Sequence, residues 1–355
     1  MYSFIDFIIA FFISLGVSVA VTPLVIKFAI KFGFVDKPDH RKVHKGLMPR
    51  IGGLSIVIGA TAGLLYLHEI ILHIWPLLVG GAIILITGIL DDKFTISPKT
   101  KLLGQLIAAG IVVFYDIKID FISLPFVDER IYLGPFSYVF AILWIVGITN
   151  AINLIDGLDG LAAGVSVIAM TTIMTLAAFN NHMLVVALTV ILIGGSIGFL
   201  FFNFNPAKIF MGDTGALFLG YCISVISLLG LYKSVTIFSL VIPIIVLAIP
   251  IFDTFFAILR RILNKQKISA PDKSHLHHCL LELGYSHRET VLIIYSIGTF
   301  FGLCAILFSR STLWGSLLVL GVLILLIQLT AELVGLIGKH KPLLNTMKKL
   351  RSPAK

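Results

Sequence analysis

The sequence predicts an all-α, polytopic membrane protein, and three observations carry that prediction. Mean hydropathy is +1.05 over 355 residues with only 13% charged, a balance no soluble domain of this length keeps. Long apolar runs recur, each near the ~20 residues that cross a ~30 Å hydrocarbon core as a helix. Lys and Arg are segregated into alternate connecting segments. Because the runs are continuous rather than alternating, a transmembrane β-barrel is excluded. No internal repeat is visible, which argues against an inverted-repeat architecture. No low-complexity linker divides the chain, so 1–338 reads as one transmembrane domain and 339–355 as a basic cytoplasmic tail. The three cysteines, Cys222, Cys279 and Cys304, form no framework.

Taken in order, the first span covers 4–30. It has no Lys or Arg before Lys27, and its basic cluster follows the apolar run, the order of an uncleaved anchor with its N-terminus outside. Further spans read as 51–67, 75–90, 101–115, 136–150, 160–179, 184–202, 214–232, 236–259, 290–308 and 313–337. That makes about eleven and leaves the C-terminus in the cytoplasm. With this topology every Lys and Arg lies inside except Lys118, Arg130, Lys233 and Arg310, as the positive-inside rule requires. The net charge of +9 is thereby explained by topology and is not a nucleic-acid footprint.

Polar clusters gather at the inside ends of the spans. Asn150, Asn153, Asp156 and Asp159 recur every third residue in Asn-Ala-Ile-Asn-Leu-Ile-Asp-Gly-Leu-Asp-Gly. On a continuous helix they would spiral apart; Gly157 and Gly160 predict a break that lets them converge. Two amides and two carboxylates at a membrane-helix end point to a hard cation, or to a phosphate held by one. Asp91 and Asp92 close the 75–90 span. Adjacent carboxylates repel unless a cation or proton lies between them, and the helix dipole disfavours them at a C-terminus. Lys101 is either a phosphate-neutralising cation or an ordinary inside anchor.

Residues 202–215, Phe-Asn-Phe-Asn-Pro-Ala-Lys-Ile-Phe-Met-Gly-Asp-Thr-Gly, join two spans. Asp213 reads either as a metal ligand at a helix start or as a plain N-cap, and the amides Asn203 and Asn205 nearby favour the first. His275, His277 and His278 lie in a basic segment with Arg260 and Arg261. Their spacing is too tight for a zinc site, and donation to phosphate oxygens fits the charge better. The 36–53 segment holds His44, Lys45 and Arg50 and opens into a glycine-started helix. It is a sugar-nucleotide contact or, equally, a set of topogenic charges. Asp253, beside Pro250, lies just inside the 236–259 span, near its end.

Together these ordered motifs resemble the polyprenyl-phosphate N-acetylhexosamine-1-phosphate transferase family, over almost the whole chain from Asp36 to about Tyr295. Asn150–Gly160 is similar to the family's nucleotide and metal loop, and 202–215 to its metal-aspartate loop. Ser274-His-Leu-His-His278, followed by Leu283-Gly-Tyr-Ser-His287, resembles the branch that uses UDP-GlcNAc. Leu276 interrupts the three consecutive histidines of the branch that takes UDP-MurNAc-pentapeptide, which remains the alternative reading. From another class, a cation-coupled transporter is the rival, though its ionisable groups belong near mid-bilayer.

The resemblance implies a bacterial plasma-membrane enzyme with its site facing the cytoplasm. It would transfer GlcNAc-1-phosphate from UDP-GlcNAc to undecaprenyl phosphate as the first membrane step of a cell-wall polymer such as teichoic acid. It implies Mg²⁺, with Mn²⁺ as a substitute, held by Asp213 and Asn153, and a catalytic set of Asp91, Asp92 and Lys101. Substrate contacts are implied for Asn150, Asp156, Asp159, Asn203, Arg261, His275, His277 and His278, with His44, Lys45, Arg50 and Asp253 behind them. Direct in-line attack by the lipid phosphate is the expected route, ahead of a covalent intermediate on Asp91. The expected partners are the two substrates, the lipid bilayer and a second copy of the chain, and no nucleic acid.

Overall fold

The computed structural model describes residues 2–36, 48–123, 130–231, 234–263, 265 and 275–334. Its helices are α1 Phe4–Phe32, α2 Gly53–Tyr66, α3 Ile71–Phe94, α4 Pro98–Phe114, α5 Phe136–Ile155, α6 Leu161–Phe179 and α7 Met183–Asn203. They continue as α8 Gly212–Leu231, α9 Ile237–Val246, α10 Ala248–Leu263, α11 Leu276–Glu282, α12 His287–Arg310 and α13 Leu313–Val334. Eight are long and apolar enough to cross a membrane, so the chain is a multi-pass membrane protein. α2 and α4, at 14 and 17 residues, fall short of that length.

One predicted span is corrected. Residues 236–259 do not form a single helix: α9 and α10 meet at an 85° bend around Leu247. Pro250 supplies the reason. It has no N–H to donate, and its ring crowds the carbonyl of residue i−4, Val246, the last residue of α9. The predicted break after Asn153 is present: α5 ends at Ile155 and α6 begins at Leu161 after Gly160 at φ +80°.

The interior is held by close helix contacts and hydroxyl-to-carbonyl bonds, as a medium without water demands. Ser14 and Ser18 of α1 donate to the carbonyls of Ile191 and Gly195 on α7, at 2.6 and 2.8 Å. A Cβ on Gly198 would come within 2.7 Å of the Leu15 carbonyl, so the two backbones touch. Outward, Phe12, Leu72, Leu143 and Leu318 are exposed, the lipid-facing pattern. Short strands lie outside the bundle. β1 Val35–Asp36 pairs antiparallel with β2 Met48–Pro49. β3 Phe121–Ser123 pairs antiparallel with β4 Arg130–Tyr132 and parallel with β5 Ser234–Thr236. His44, Lys45 and the tail 339–355 lie outside the described residues.

Candidate active site

Four helix ends meet around the ammonium of Lys101, in the first turn of α4. Its Nζ donates to Asp213 Oδ2 at 2.8 Å, to Asp91 Oδ2 at 3.1 Å and to Asn153 Oδ1 at 3.3 Å. Asn153 in turn donates from Nδ2 to Asp213 Oδ1 at 2.5 Å. Asp91 comes from the end of α3, Asn153 from the last turn of α5 and Asp213 from the start of α8. The sequence sets up each end locally: Ser97 caps α4 with Pro98 at its first position, and Asp156 terminates α5.

Asp92 turns away from this hub. Its Oδ1 accepts from the backbone N–H of Asp213 at 3.0 Å, and its Oδ2 from the N–H and hydroxyl of Thr214 at 2.9 and 2.6 Å. Its side chain is fully buried, with Arg50 Nη2 at 3.8 Å from Oδ1. Arg50 also reaches Asp36 at 4.0 Å. A backbone strap fixes the same region: Gly52 and Gly53 donate to the carbonyls of Phe210 and Met211, and Phe210 donates to that of Pro49.

The Asp156–Gly160 turn is stapled to two neighbours. Asp159 Oδ2 accepts from Asn205 Nδ2 at 2.9 Å and from the Ala207 N–H at 3.1 Å, while the Asp159 N–H donates to His287 Nε2 at 2.9 Å. Asn203 is buried; its Oδ1 accepts from the Gly160 N–H and its Nδ2 donates to the Ile209 carbonyl. Arg288 Nε donates to the Asn205 carbonyl, and the Tyr295 hydroxyl to that of Gly160. Asn150 exchanges amide bonds with Gln105 of α4, at 2.6 and 3.2 Å. Asp156 lies among acids: burial first, then Asp213, Asp92 and Asp159 against the pull of Arg50, push it up to about 8.

The histidine segment forms a short helix, α11. Its N-terminus is tied down by Asp253 of α10, which accepts from the Leu276 N–H at 2.8 Å and pairs with His275 Nδ1 at 2.9 Å. This pins His277 over the turn: a Cβ on Gly157 would lie 2.5 Å from His277 Nε2. The rings of His275 and His277 stack at 5.9 Å, and those of His277 and His278 lie 4.2 Å apart, tilted by 42°. Burial, then the neighbouring imidazole of His278, hold His277 down to about 4, so it is neutral near pH 7. Arg261 is buried, and among the described residues its Nε has no hydrogen-bond partner.

The expected residues therefore fall into groups. Asp91, Lys101, Asn153 and Asp213 converge directly. Asp156 feels the charge of Asp213 and Asp92, and His277, next to the Asp253–His275 pair, packs on Gly157. Asp92, Asn150, Asp159 and Asn203 spend their hydrogen-bonding atoms on neighbouring backbone and side chains. Residues not singled out from the sequence include Gln105 and Arg288; each is an ordinary polar residue whose partner lies far along the chain. Asn205, Thr214 and His287 lie in stretches matched to family motifs, and that match is the signal the sequence offered for them.

Among the described residues no three His, Cys, Asp or Glu side chains close into a metal centre. Two carboxylates and an amide oxygen around one point, with a raised Asp156 beside them, are nevertheless a hard, oxygen-rich and acidic donor set. That fits Mg²⁺, which is usually held by one or two carboxylates and completed by water and substrate phosphate.

Comparison with known proteins follows the same residues. The family model described as glycosyl transferase family 4 matches residues 74–231, the stretch that contains Asp91, Lys101, Asn153 and Asp213. The chain is 55% identical over 323 residues to a probable undecaprenyl-phosphate N-acetylglucosaminyl 1-phosphate transferase of Bacillus subtilis (strain 168), covering 90% of this chain and 89% of that one. It is 32% identical over 297 residues to a decaprenyl-phosphate N-acetylglucosaminephosphotransferase of Mycolicibacterium smegmatis, at 74% and 72% coverage. It is 30% identical over 268 residues to an undecaprenyl-phosphate alpha-N-acetylglucosaminyl 1-phosphate transferase of Escherichia coli (strain K12), at 74% and 73%. A site assembled from four helix ends, and likeness that runs the length of the bundle rather than one motif, make this chain a member of glycosyl transferase family 4.

Proposed function

We propose that the chain transfers GlcNAc-1-phosphate from UDP-GlcNAc to undecaprenyl phosphate, giving undecaprenyl-diphospho-GlcNAc and UMP, as the first membrane step of a cell-wall polymer. The observation that carries it is the meeting of Lys101 with Asp91, Asp213 and Asn153 at one end of an apolar helix bundle. A lipid phosphate sits at the headgroup plane, so a site for it belongs at helix ends. The names of the relatives support GlcNAc-phosphate transfer to a polyprenyl phosphate.

The site lies on the side of the Lys- and Arg-rich segments, which the positive-inside rule makes cytoplasmic. Eleven crossings, with the N-terminus outside, follow if α2, α4 and the bent α9–α10 pair each count as one span. A cysteine at exposed Lys208 should then react with an impermeant thiol reagent only from the cytoplasmic side.

Chemically, a phosphate monoester is largely ionised near pH 7, so the acceptor needs positioning more than deprotonation. Asp91 would steer it, and Lys101 would hold diphosphate oxygens as charge moves to the leaving UMP. His275, His277, His278 and Arg261 would contact the diphosphate from the α10–α11 side, and Asp156 would face the nucleoside. Asp213 and Asn153, with Asp91, would hold Mg²⁺, which when bound neutralises diphosphate charge.

The test offers purified protein, Mg²⁺ and undecaprenyl phosphate to UDP-GlcNAc, UDP-GalNAc and UDP-MurNAc-pentapeptide separately and measures UMP. Turnover with UDP-GlcNAc, abolished by chelation and restored by Mg²⁺ or Mn²⁺, is expected. Turnover with the pentapeptide donor alone would move the chain to that branch. No UMP from any donor in folded protein would overturn transferase chemistry.

A further inference from the structure

We infer that Asp92 is a positioning residue rather than a reacting carboxylate: it caps the start of α8 from the end of α3 and so holds Asp213 against Lys101. A helix leaves its first N–H groups without intrahelical partners, and a side-chain oxygen just before the helix usually accepts from them. α8 has no such residue of its own. The positions around its start, Phe210, Met211 and Gly212, offer no side-chain oxygen. Asp213, whose alternative reading was a plain N-cap, sits inside the helix, and its carboxylate accepts from Lys101 and Asn153. Asp92 supplies what is missing, accepting from the N–H groups of Asp213 and Thr214 and from the Thr214 hydroxyl.

Packing leaves Asp92 little alternative. Gly88, one turn earlier on α3, is pressed against α8: a Cβ there would lie 2.6 Å from Thr214 Cα. Gly212 has φ +70°, and a Cβ there would lie 1.8 Å from the Arg50 carbonyl and 2.5 Å from Asp92 Oδ2. The capping carboxylate is thus walled in by Arg50, Gly212 and Thr214, while its neighbour Asp91 alone of the pair meets Lys101. Successive helical residues project about 100° apart, so one can face the reaction centre and the other the adjacent helix.

Two measurements test this, and only the second rests on the proposed transfer reaction. Hydrogen–deuterium exchange of peptides covering 211–217 reads the cap directly. Asp92→Ala should speed exchange there roughly five- to tenfold, the scale of a lost N-cap, and Asp91→Ala should not. Unchanged protection in Asp92→Ala would refute the cap whether or not the protein turns over UDP-GlcNAc. If Asp92→Ala does not fold, Thr214→Val removes one donor and carries the same measurement.

Kinetically, Asp92→Ala should lose about 100-fold in kcat with KM little changed, because a ligand is misplaced rather than removed. Asp92→Asn keeps one acceptor oxygen and should recover about tenfold of that loss. Thr214→Val should add nothing further to Asp92→Ala, since the two act through one contact. Asp92→Asn as inactive as Asp92→Ala, with wild-type exchange at 211–217, would make Asp92 a reacting group.

Discussion

Lys101 Nζ and Asp213 Oδ2 lie 2.8 Å apart although 112 residues separate them in the chain. The ammonium is shared with Asp91 and Asn153, so one cation holds four helix ends in register. Charges this poorly solvated attract strongly and are costly to leave unmatched.

Removing that charge should therefore be felt twice. Lys101→Met is expected to lower UMP release about 100- to 1,000-fold, the scale of one lost electrostatic contact to a transition state. It should also make the folded protein lean more on divalent cation, because Asp91 and Asp213 lose their counter-charge. Melting in detergent with and without Mg²⁺ checks this; an equal Mg²⁺ shift in wild type and variant would contradict it.

Asn150 was expected at the substrate, and its amide is instead matched to Gln105. Asn150→Ala and Gln105→Ala should each cost about 1–3 kcal/mol, the penalty of one orphaned amide. The double variant should cost less than the two together, since it orphans neither. Denaturant unfolding of the three variants measures the coupling.

Gly157 is needed for the close approach of His277. Gly157→Ala places a methyl where the imidazole stands, 2.5 Å from Nε2. A fall of at least about tenfold in kcat/KM is expected with little change in melting temperature, as a displaced contact group costs rate before it costs fold. Wild-type kcat/KM would mean that His277 does not act at this turn.

Asp253 works on the same histidines from behind. Asp253→Ala frees both His275 Nδ1 and the Leu276 N–H, so α11 should lose its anchor. Turnover should drop about tenfold or more, and exchange at 275–282 should rise together with it. A loss of turnover with unchanged exchange would assign Asp253 a direct chemical part.

Acid should weaken the fold through His277. Its pKa is about 4 in the folded chain, against the ordinary 6.5. Between those values the unfolded chain binds more protons than the folded one, so stability rises with pH across the window and is lost as pH falls from 6.5 toward 4. Melting at pH 7.5 and 5.0 should show a smaller acid penalty in His277→Gln than in wild type. An identical penalty would show that the lost stability lies elsewhere.

Much of the architecture was legible in local pattern. Apolar runs of membrane length became helices because a chain in lipid must satisfy its own backbone. Gly157 and Gly160 marked the break between α5 and α6, and the basic residues marked one set of loops. The apolar 236–259 run is two helices at 85°, because Pro250 breaks a stretch whose hydropathy alone is that of one span. Asp91, Lys101, Asn153 and Asp213 were recognisable as polar residues stranded at the ends of apolar runs.

What the sequence by itself determined, then, is which residues form helices, where those helices end and which ends carry charge, because periodicity, capping and breaking act over a few neighbours. The tertiary structure alone decided how those charged ends are shared out. Asp91 meets Lys101 while Asp92 caps α8, and Asn150 and Asn203 are spent on Gln105 and on backbone atoms. Such assignments depend on partners as far as 122 residues away, brought into hydrogen-bonding reach only when the helices pack.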